Sequence, residues 1–248
     1  MSPKIGLQLY TVRDRMPTEG YAAVVRQVAQ LGFAGVETAG FPAGPTPADA
    51  AKLFKELGLT VIGAHAGLPL GERKNEILDT MAVLGSRYLV IPYVSPDEVK
   101  TLDTIKALVE RLNEAQPIAA AAGLKLLVHN HSAEFLLVDG RPAMEYIFEM
   151  VDPAVLFELD TYWIKVAGVD PVATVQKFGQ RAPLLHIKDG TGVREDPQLP
   201  AGEGVMDFPA ILRAGGANTE WAIFEADRVA GSSLDVCAKS YQYLKSIV

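Results

Sequence analysis

Residues 155–163 read VLFELDTYW, and this stretch places carboxylates at the end of a buried strand. Its apolar residues are β-prone, which is typical of a parallel strand covered on both faces. Glu158 and Asp160 interrupt the apolar run on one face, because side chains alternate between the two faces of a strand. Ionised carboxylates are rarely buried unless they are paired or hold a metal. The alternative interpretation is that Asp160 only caps the turn that follows.

Seven other short β-prone runs alternate with longer helical patterns along the chain. The eight predicted strands cover residues 5–9, 35–38, 60–65, 88–91, 125–131, 155–160, 184–188 and 221–225. Several of the intervening helical patterns end at a glycine, as at Gly32 and Gly85. This alternation predicts an α/β fold, a (β/α)8 TIM barrel forming a single domain over residues 1–248. A doubly wound open sheet is the alternative, but no glycine-rich dinucleotide motif follows the first strand.

The composition sets limits on the partners of the protein. The chain has 248 residues, 49% of them hydrophobic, and a formal net charge of -7. An acidic chain lacks the basic face with which proteins bind a phosphate backbone, so we expect no nucleic-acid partner. Cys237 is the single cysteine and is predicted to be a small buried residue in a helix. Without an apolar signal segment or a membrane-length apolar run, a cytoplasmic protein with no membrane partner is expected.

Polar residues follow six of the predicted strands at the ends where a barrel gathers its active site. All four histidines of the chain are among them, and none lies in a helix. These strand-end residues are Glu37, His65, His129, Asn130, His131, Glu158, Asp160, His186, Lys188, Asp189, Glu225 and Asp227. Imidazole and carboxylate donors without thiolates suit a divalent Mn, Zn, Co, Fe, Ni or Mg ion in an open site.

Three further features lie near the predicted site, and the first two have two interpretations each. Lys188 is either a catalytic or substrate-binding group or an ion-paired residue of the core. Trp163 either stacks against a sugar or packs the rim together with its neighbour Tyr162. Residues 190–207 form the longest irregular segment, which in a barrel follows the seventh strand and is therefore interpreted as an active-site loop.

Taken together, these motifs resemble the xylose isomerase-like TIM-barrel superfamily, in its sugar phosphate isomerase/epimerase branch. The resemblance covers nearly the whole chain. It is carried by the order and spacing of IGLQLYTVRD (5–14), GVE (35–37), VHNHSAEF (128–135), ELDTYWIKVAGVDP (158–171), LLHIKDG (184–190) and IFEAD (223–227).

The resemblance implies a divalent metal held at the ends of strands five to eight by His129, Asp160, His186 and Glu225. His129 departs from the family pattern, because many relatives have Glu followed by Asn there. His131 or Glu158 is the alternative ligand at that position. We assign the catalytic groups as Glu225, His129 and Lys188, and the substrate-binding groups as His65, Glu37, His131, Trp163 and Glu158.

The predicted function is a metal-dependent isomerase or epimerase of a sugar or sugar phosphate, acting by proton transfer next to a carbonyl through an enediolate. Glu225 is predicted to move the proton. The alternative is a lyase or dehydratase acting on a keto-sugar or an inosose, with His129 or His131 as the acid. An apurinic-site endonuclease and a non-catalytic sugar-binding barrel are less favoured. The partner is a small carbohydrate, and the resemblance also implies a homo-oligomer.

Overall fold

The predicted alternation of strands and helices closes into a barrel in the computed structural model, which describes residues 2–41 and 44–248. Eight parallel strands form it: β1 (Lys4–Gln8), β2 (Gly35–Thr38), β3 (Thr60–His65), β4 (Tyr88–Ile91), β5 (Lys125–His129), β8 (Leu156–Asp160), β9 (Leu184–Ile187) and β10 (Trp221–Phe224). They pair in that order, and β10 pairs back onto β1. Strands β6 (Leu137–Val138) and β7 (Arg141–Pro142) form an antiparallel hairpin outside the barrel. The (β/α)8 prediction is confirmed, and the open sheet is excluded.

Helices surround the barrel and cover the outer faces of its strands. They are α1 (Met16–Glu19), α2 (Tyr21–Leu31), α3 (Pro47–Glu56), α4 (Lys74–Leu84), α5 (Leu102–Ala121), α6 (Ala143–Met150), α7 (Thr161–Val166), α8 (Pro171–Phe178), α9 (Phe208–Gly215) and α10 (Ser233–Ile247). Helices α2 and α4 end as predicted, at Gly32 and Gly85 in the left-handed region, where a side chain would be strained. No helix of the described ranges combines the length and apolarity needed to cross a bilayer.

Three of the eight predicted strands, β2, β3 and β4, match the structure, and the other five have a boundary that shifts by one or two residues. The sequence predicts that β5 continues to residue 131, but it ends at His129. The reason is Asn130, whose side-chain Oδ1 accepts a hydrogen bond from Asp160 N at 3.0 Å and whose Nδ2 donates to Asp160 O at 3.2 Å. The side-chain amide thus replaces the ladder bonds that another strand residue would make. Similarly, β9 ends before Lys188 and β10 before Glu225.

The inside of the barrel is divided into an apolar layer and a polar layer. Every second residue of a strand points inward, so Leu127 and His129 share the interior, as do Leu184 and His186. The apolar layer lies near the amino ends of the strands and consists of Ile62, Tyr88, Val90, Leu127, Leu184, Trp221 and Ile223. Gly35 makes room for it, because a Cβ there would lie 2.6 Å from Thr60 O and 3.0 Å from the Trp221 ring. The polar layer occupies the carboxyl ends.

Candidate active site

A cleft of about 670 Å³ opens at the carboxyl ends of the strands. His65, His129, His131, Glu225 and Asp227 line it. Its outer part is lined by aromatic and apolar side chains that include Tyr10, Tyr93, Ile77, Met81 and Leu84. The size is that of a small-molecule site, and polar groups at the base of an otherwise apolar cleft are typical of one.

Four residues at the base of this cleft bring metal-binding donor atoms together. They are His129, Asp160, His186 and Glu225, and one donor atom of each lies within 4.8 Å of those of the others. His129 Nε2 is 4.0 Å from Asp160 Oδ2, and His186 Nδ1 is 2.8 Å from Glu225 Oε2. This is the set that the family resemblance implied. Two imidazoles and two carboxylates suit the first-row divalent metals named above.

Asp160 provides the observation that tests whether a metal fits this set. Its Oδ1 accepts a hydrogen bond from Trp163 N at 2.9 Å, so the residue does cap α7 as the alternative interpretation held. Its Oδ2 is buried and accepts no hydrogen bond from the described residues, although the Lys188 ammonium lies 3.0 Å away. The ammonium balances the charge of Asp160 but leaves a lone pair of Oδ2 without a partner, which is costly in a buried site. Capping uses Oδ1, so Oδ2 could serve as a ligand, and the donor set fits a divalent cation.

A second layer of carboxylates supports the imidazoles of this set. Glu158 Oε2 accepts a hydrogen bond from His129 Nδ1 at 3.0 Å, and Glu37 Oε2 accepts one from His186 Nε2 at 2.8 Å. Such bonds fix the orientation of a ligating imidazole and raise its basicity. Glu37 and Glu158 are fully buried beneath the cleft, and they also accept hydrogen bonds from His65 Nε2 at 3.2 and 2.9 Å. The contact of Glu37 and Glu158 with substrate remains a prediction. Their hydrogen bonds suit them to orient the imidazoles of His129 and His186.

A second group of possible ligands shares two of these residues. His65, His129, Glu158 and His186 also bring donor atoms within 4.8 Å of one another. In that group Glu158 Oε2 already lies close to three imidazole nitrogens. The distances are 2.9 Å to His65 Nε2, 3.0 Å to His129 Nδ1 and 3.2 Å to His186 Nε2. We therefore take the set with Asp160 and Glu225 as the proposed metal site, since it offers two carboxylates where the other group offers one that three imidazoles already contact.

The imidazoles of the site differ in charge because their surroundings differ. Burial lowers the pKa of His129 well below its usual value despite its bond to Glu158. His129 is therefore neutral, and with its Nδ1 proton donated to Glu158 it has a free lone pair on Nε2. For His186 and His65, burial is outweighed by the neighbouring glutamates, which raise the pKa of His186 well above its usual value and that of His65 to about 10. Both rings are positively charged and balance Glu37 and Glu158.

His131 and Trp163 form the wall of the site next to the loop after β9. Their rings lie 5.8 Å apart, and both His131 Nδ1 and Trp163 Nε1 are buried without a hydrogen-bond partner among the described residues. Burial and the charge of Lys188 lower the pKa of His131 to about 4, so its ring is neutral. The Lys188 ammonium lies 5.4 Å from the centre of the Trp163 ring. His131 lines the cleft, whereas Trp163 packs behind it next to Lys188, and substrate contact of either residue remains a prediction.

The irregular segment between β9 and α9 is organised by Asp189. Its carboxylate accepts hydrogen bonds from Gly190 N and Gly202 N at 2.9 Å, from Gly204 N at 3.1 Å and from Met206 N at 3.3 Å. The segment has neither helix nor strand, as the sequence predicted for residues 190–207. Tyr162 contributes as well, since its buried hydroxyl accepts a hydrogen bond from Gly192 N at 3.2 Å. Asp189 and Tyr162 therefore hold the loop next to the site.

Sequence reasoning missed two residues around this site. Gln8 follows the first strand's apolar run and donates from Nε2 to Glu37 Oε2 at 2.8 Å. Glu134 is fully buried, and its Oε2 accepts a hydrogen bond from His131 N at 3.0 Å. The available signal for Gln8 was the period of the chain, since Gln8 shares the inward face of β1 with Gly6. Glu134 lies after a strand, where periodicity gives no information.

Comparison with known proteins now decides the family. A sequence profile described as xylose isomerase-like TIM barrel matches residues 25–244 of the chain. The chain belongs to the xylose isomerase-like TIM barrel family. The predicted resemblance is thereby confirmed.

The proteins that this chain resembles are named after different activities. An inosose dehydratase from Geobacillus kaustophilus (strain HTA426) is 26% identical over 216 residues, which cover 77% of this chain and 68% of that protein. A sugar phosphate isomerase/epimerase from Parabacteroides distasonis ATCC 8503 is 24% identical, with a TM-score of 0.82 over 98% of both chains. A D-allulose 3-epimerase from Methylomonas sp. in complex with D-allulose is 16% identical, with a TM-score of 0.73 over 100% of this chain and 98% of the other. At these identities the two structures show the shared fold.

Proposed function

We propose that this protein is a metal-dependent lyase that removes water from a polyhydroxylated ketone of the inosose type. The observation that carries the proposal is the position of Glu225, which belongs to the four-residue metal set and also lines the cleft. A carboxylate in that position meets both the cation and the substrate. The relative named inosose dehydratase supports the substrate class.

His129, Asp160, His186 and Glu225 would hold the cation in this proposal. Bound there, a divalent cation supplies Lewis acidity: it polarises a ketone and stabilises the enolate charge that forms when a neighbouring proton is lost. His186 donates hydrogen bonds from both ring nitrogens in the structure, so it would release its Nδ1 proton on ligation. Its Nε2 bond to Glu37 would remain and keep the ring in place.

Glu225 is the group that accepts the proton from carbon. Burial raises the pKa of its carboxyl, but Lys188 and His186 together bring that pKa well below its usual value. The carboxylate is therefore ionised and able to take the proton next to the ketone. The electron pair left on carbon forms the enolate and then expels the β-hydroxyl, with cleavage of its carbon–oxygen bond. The hydroxyl leaves as water after accepting a proton.

His131 is our candidate for the hydrogen-bond donor to the departing hydroxyl, and because its ring is neutral, the proton that completes the water is the one that Glu225 took from carbon. Its ring lines the cleft, and its Nδ1 has no partner among the described residues. His129 is less suited, because its Nδ1 proton is already donated to Glu158 and its Nε2 faces Asp160. The sequence left both histidines open as the acid. We therefore propose His129 as a metal ligand and His131 as the hydrogen-bond donor to the leaving hydroxyl.

Isomerisation or epimerisation, the function that the sequence favoured, shares the first proton transfer. Two-carboxylate epimerisation uses a glutamate at the strand-five position of relatives, and this chain has His129 there. The groups of β5 that face the cleft are imidazoles, His129 and His131. This difference favours elimination, which needs one carboxylate base instead of the two that epimerisation uses.

The experiment is to incubate the Mn2+-loaded protein with an inosose and, separately, with D-allulose, and to analyse the products by mass spectrometry and NMR. We expect the inosose to lose one water and D-allulose to remain unchanged. Glu225→Gln is the matched control and should abolish the loss of water. A product of unchanged mass from either ketone, formed without dehydration, would contradict the lyase and support the isomerase.

A further inference from the structure

Lys188 contacts the same carboxylates that the metal set uses. It follows β9, has no exposed area, and its ammonium group lies 3.0 Å from Asp160 Oδ2 and 3.0 Å from Glu225 Oε2. A third carboxylate, Asp227, accepts a hydrogen bond from the ammonium at 2.7 Å. One buried cation of the protein is thus shared by three carboxylates, two of which belong to the metal set.

The contacts of Lys188 with these three carboxylates are not equivalent. The bond to Asp227 has hydrogen-bond geometry, whereas Asp160 Oδ2 accepts no hydrogen bond although the ammonium is 3.0 Å away. Lys188 therefore balances the charge of Asp160 without satisfying its oxygen. A divalent cation would do both, because it accepts a lone pair directly.

Three carboxylate oxygens surround the Lys188 ammonium, at 3.0 Å for Asp160, 3.0 Å for Glu225 and 2.7 Å for Asp227, and their proximity favours its charged form. Two cations close to the same oxygens repel each other, and inside a protein this repulsion is screened much less than in water. The ammonium and a bound metal ion thus oppose one another at Asp160 and Glu225.

We propose that Lys188 competes with the divalent cation for the carboxylates of Asp160 and Glu225, and that Asp227 retains the ammonium when the cation binds. Lys188 is in this sense an internal counter-ion that sets the metal affinity of the site. Asp227 is suited to retain it, because its Oδ2 also accepts a hydrogen bond from Gln198 Nε2 at 3.1 Å and is thereby fixed. The inference rests on the metal set of the proposed function but is independent of the reaction.

The test is calorimetric titration of metal-stripped protein with Mn2+ at constant pH, without substrate. Lys188→Met and Lys188→Gln both remove the charge, and we expect each to bind Mn2+ about tenfold more tightly than the unchanged protein, a typical coupling between neighbouring sites. Lys188→Arg keeps the charge and should not bind more tightly. Unchanged or weaker Mn2+ binding by both neutral variants would overturn the proposal, as would the absence of Mn2+ binding in all of the proteins.

Asp227→Asn tests the second half of the proposal. In the presence of Lys188 this change removes the alternative partner of the ammonium, so Mn2+ binding should weaken. In the Lys188→Met background the same change should have a much smaller effect, because there is no ammonium to retain. Equal effects in both backgrounds would show that Asp227 acts through its own charge and would refute this role.

Thermal unfolding provides a readout that does not depend on catalysis. Without metal, Lys188→Met should unfold at a lower temperature than the unchanged protein, because three carboxylates lose their buried counter-ion. Saturating Mn2+ should raise its unfolding temperature by more than it raises that of the unchanged protein. An equal rise in both proteins would contradict the competition. Failure of the dehydration assay alone would leave these binding results unaffected, so the two proposals are tested separately.

Discussion

Glu134→Gln should make the stability of the protein less sensitive to pH. Glu134 is buried beside the cleft, where Oε2 accepts a hydrogen bond from His131 N and Oε1 has no partner among the described residues. Burial, with a smaller contribution from Asp160, raises the pKa of this carboxyl from 4.5 to about 7. Glutamine has nearly the same shape and keeps an oxygen for His131 N, but it cannot ionise.

The sign and size of the effect follow from the raised pKa. In the unfolded chain the carboxyl ionises near pH 4.5, whereas in the folded protein it ionises near pH 7. The fold therefore loses stability as the pH rises between these values, and the loss is complete above pH 7. It amounts to about 3 kcal/mol, because each pKa unit corresponds to about 1.4 kcal/mol. Below pH 4.5 the carboxyl is protonated in both states and contributes no pH dependence.

The assay is urea unfolding of both proteins at several pH values from 4.5 to 8. The difference in unfolding free energy between Glu134→Gln and the unchanged protein should grow by about 3 kcal/mol in favour of the variant over this range. Glu114→Gln is the control, since Glu114 is exposed on α5, and its difference should stay constant. A constant difference for Glu134→Gln as well would refute the assignment of a raised pKa to this residue.

Three further predictions concern the site and its loop. Asp160→Ala should remove the bound divalent metal while the circular dichroism spectrum stays that of the folded protein, and full metal content by elemental analysis would refute the ligand assignment. Glu225→Gln should keep substantial metal, because an amide oxygen still coordinates, but should abolish hydrogen exchange between substrate and deuterated water; exchange at the original rate would place the base elsewhere. Asp189→Ala should lower the free energy of unfolding by about 3 kcal/mol, since four backbone donors lose a charged acceptor, and should speed amide exchange at Gly202, Gly204 and Met206; slow exchange there would show that other contacts hold the loop.

The fold was accessible from the sequence because it follows from simple periodicity, whereas the proposed metal set came from the family resemblance. Eight β-prone runs separated by helical patterns closed into the predicted barrel. Once closed, the barrel brings the ends of neighbouring strands together, so His129, Asp160, His186 and Glu225 meet without any tertiary information. The strand ends themselves were less predictable. The end of β5 is decided by the side chain of Asn130, whose amide bonds to the backbone of Asp160.

The supporting contacts could not be predicted, because they depend on side chains reaching across the barrel. The sequence places Glu37 and Glu158 at strand ends but does not show that each accepts a hydrogen bond from a ligand imidazole. The sequence also places Lys188 and Asp227 at strand ends, but it does not show that the Lys188 ammonium donates a hydrogen bond to the Asp227 carboxylate. The hairpin of β6 and β7 was also missed, since two-residue strands have no detectable period.

The apolar layer inside the barrel also determines from which end of the barrel a small molecule can enter. Tyr88 and Trp221, together with their aliphatic neighbours, fill the interior near the amino ends of the strands, while the cleft opens at the other end. In the described part of the chain, the cation and a ketone would therefore enter through the same mouth. Because the proposed metal set lies at the base, a cation would load before a ketone, which would then cover it. The product would have to depart before that cation could exchange, so the cleft would impose an order on loading and release.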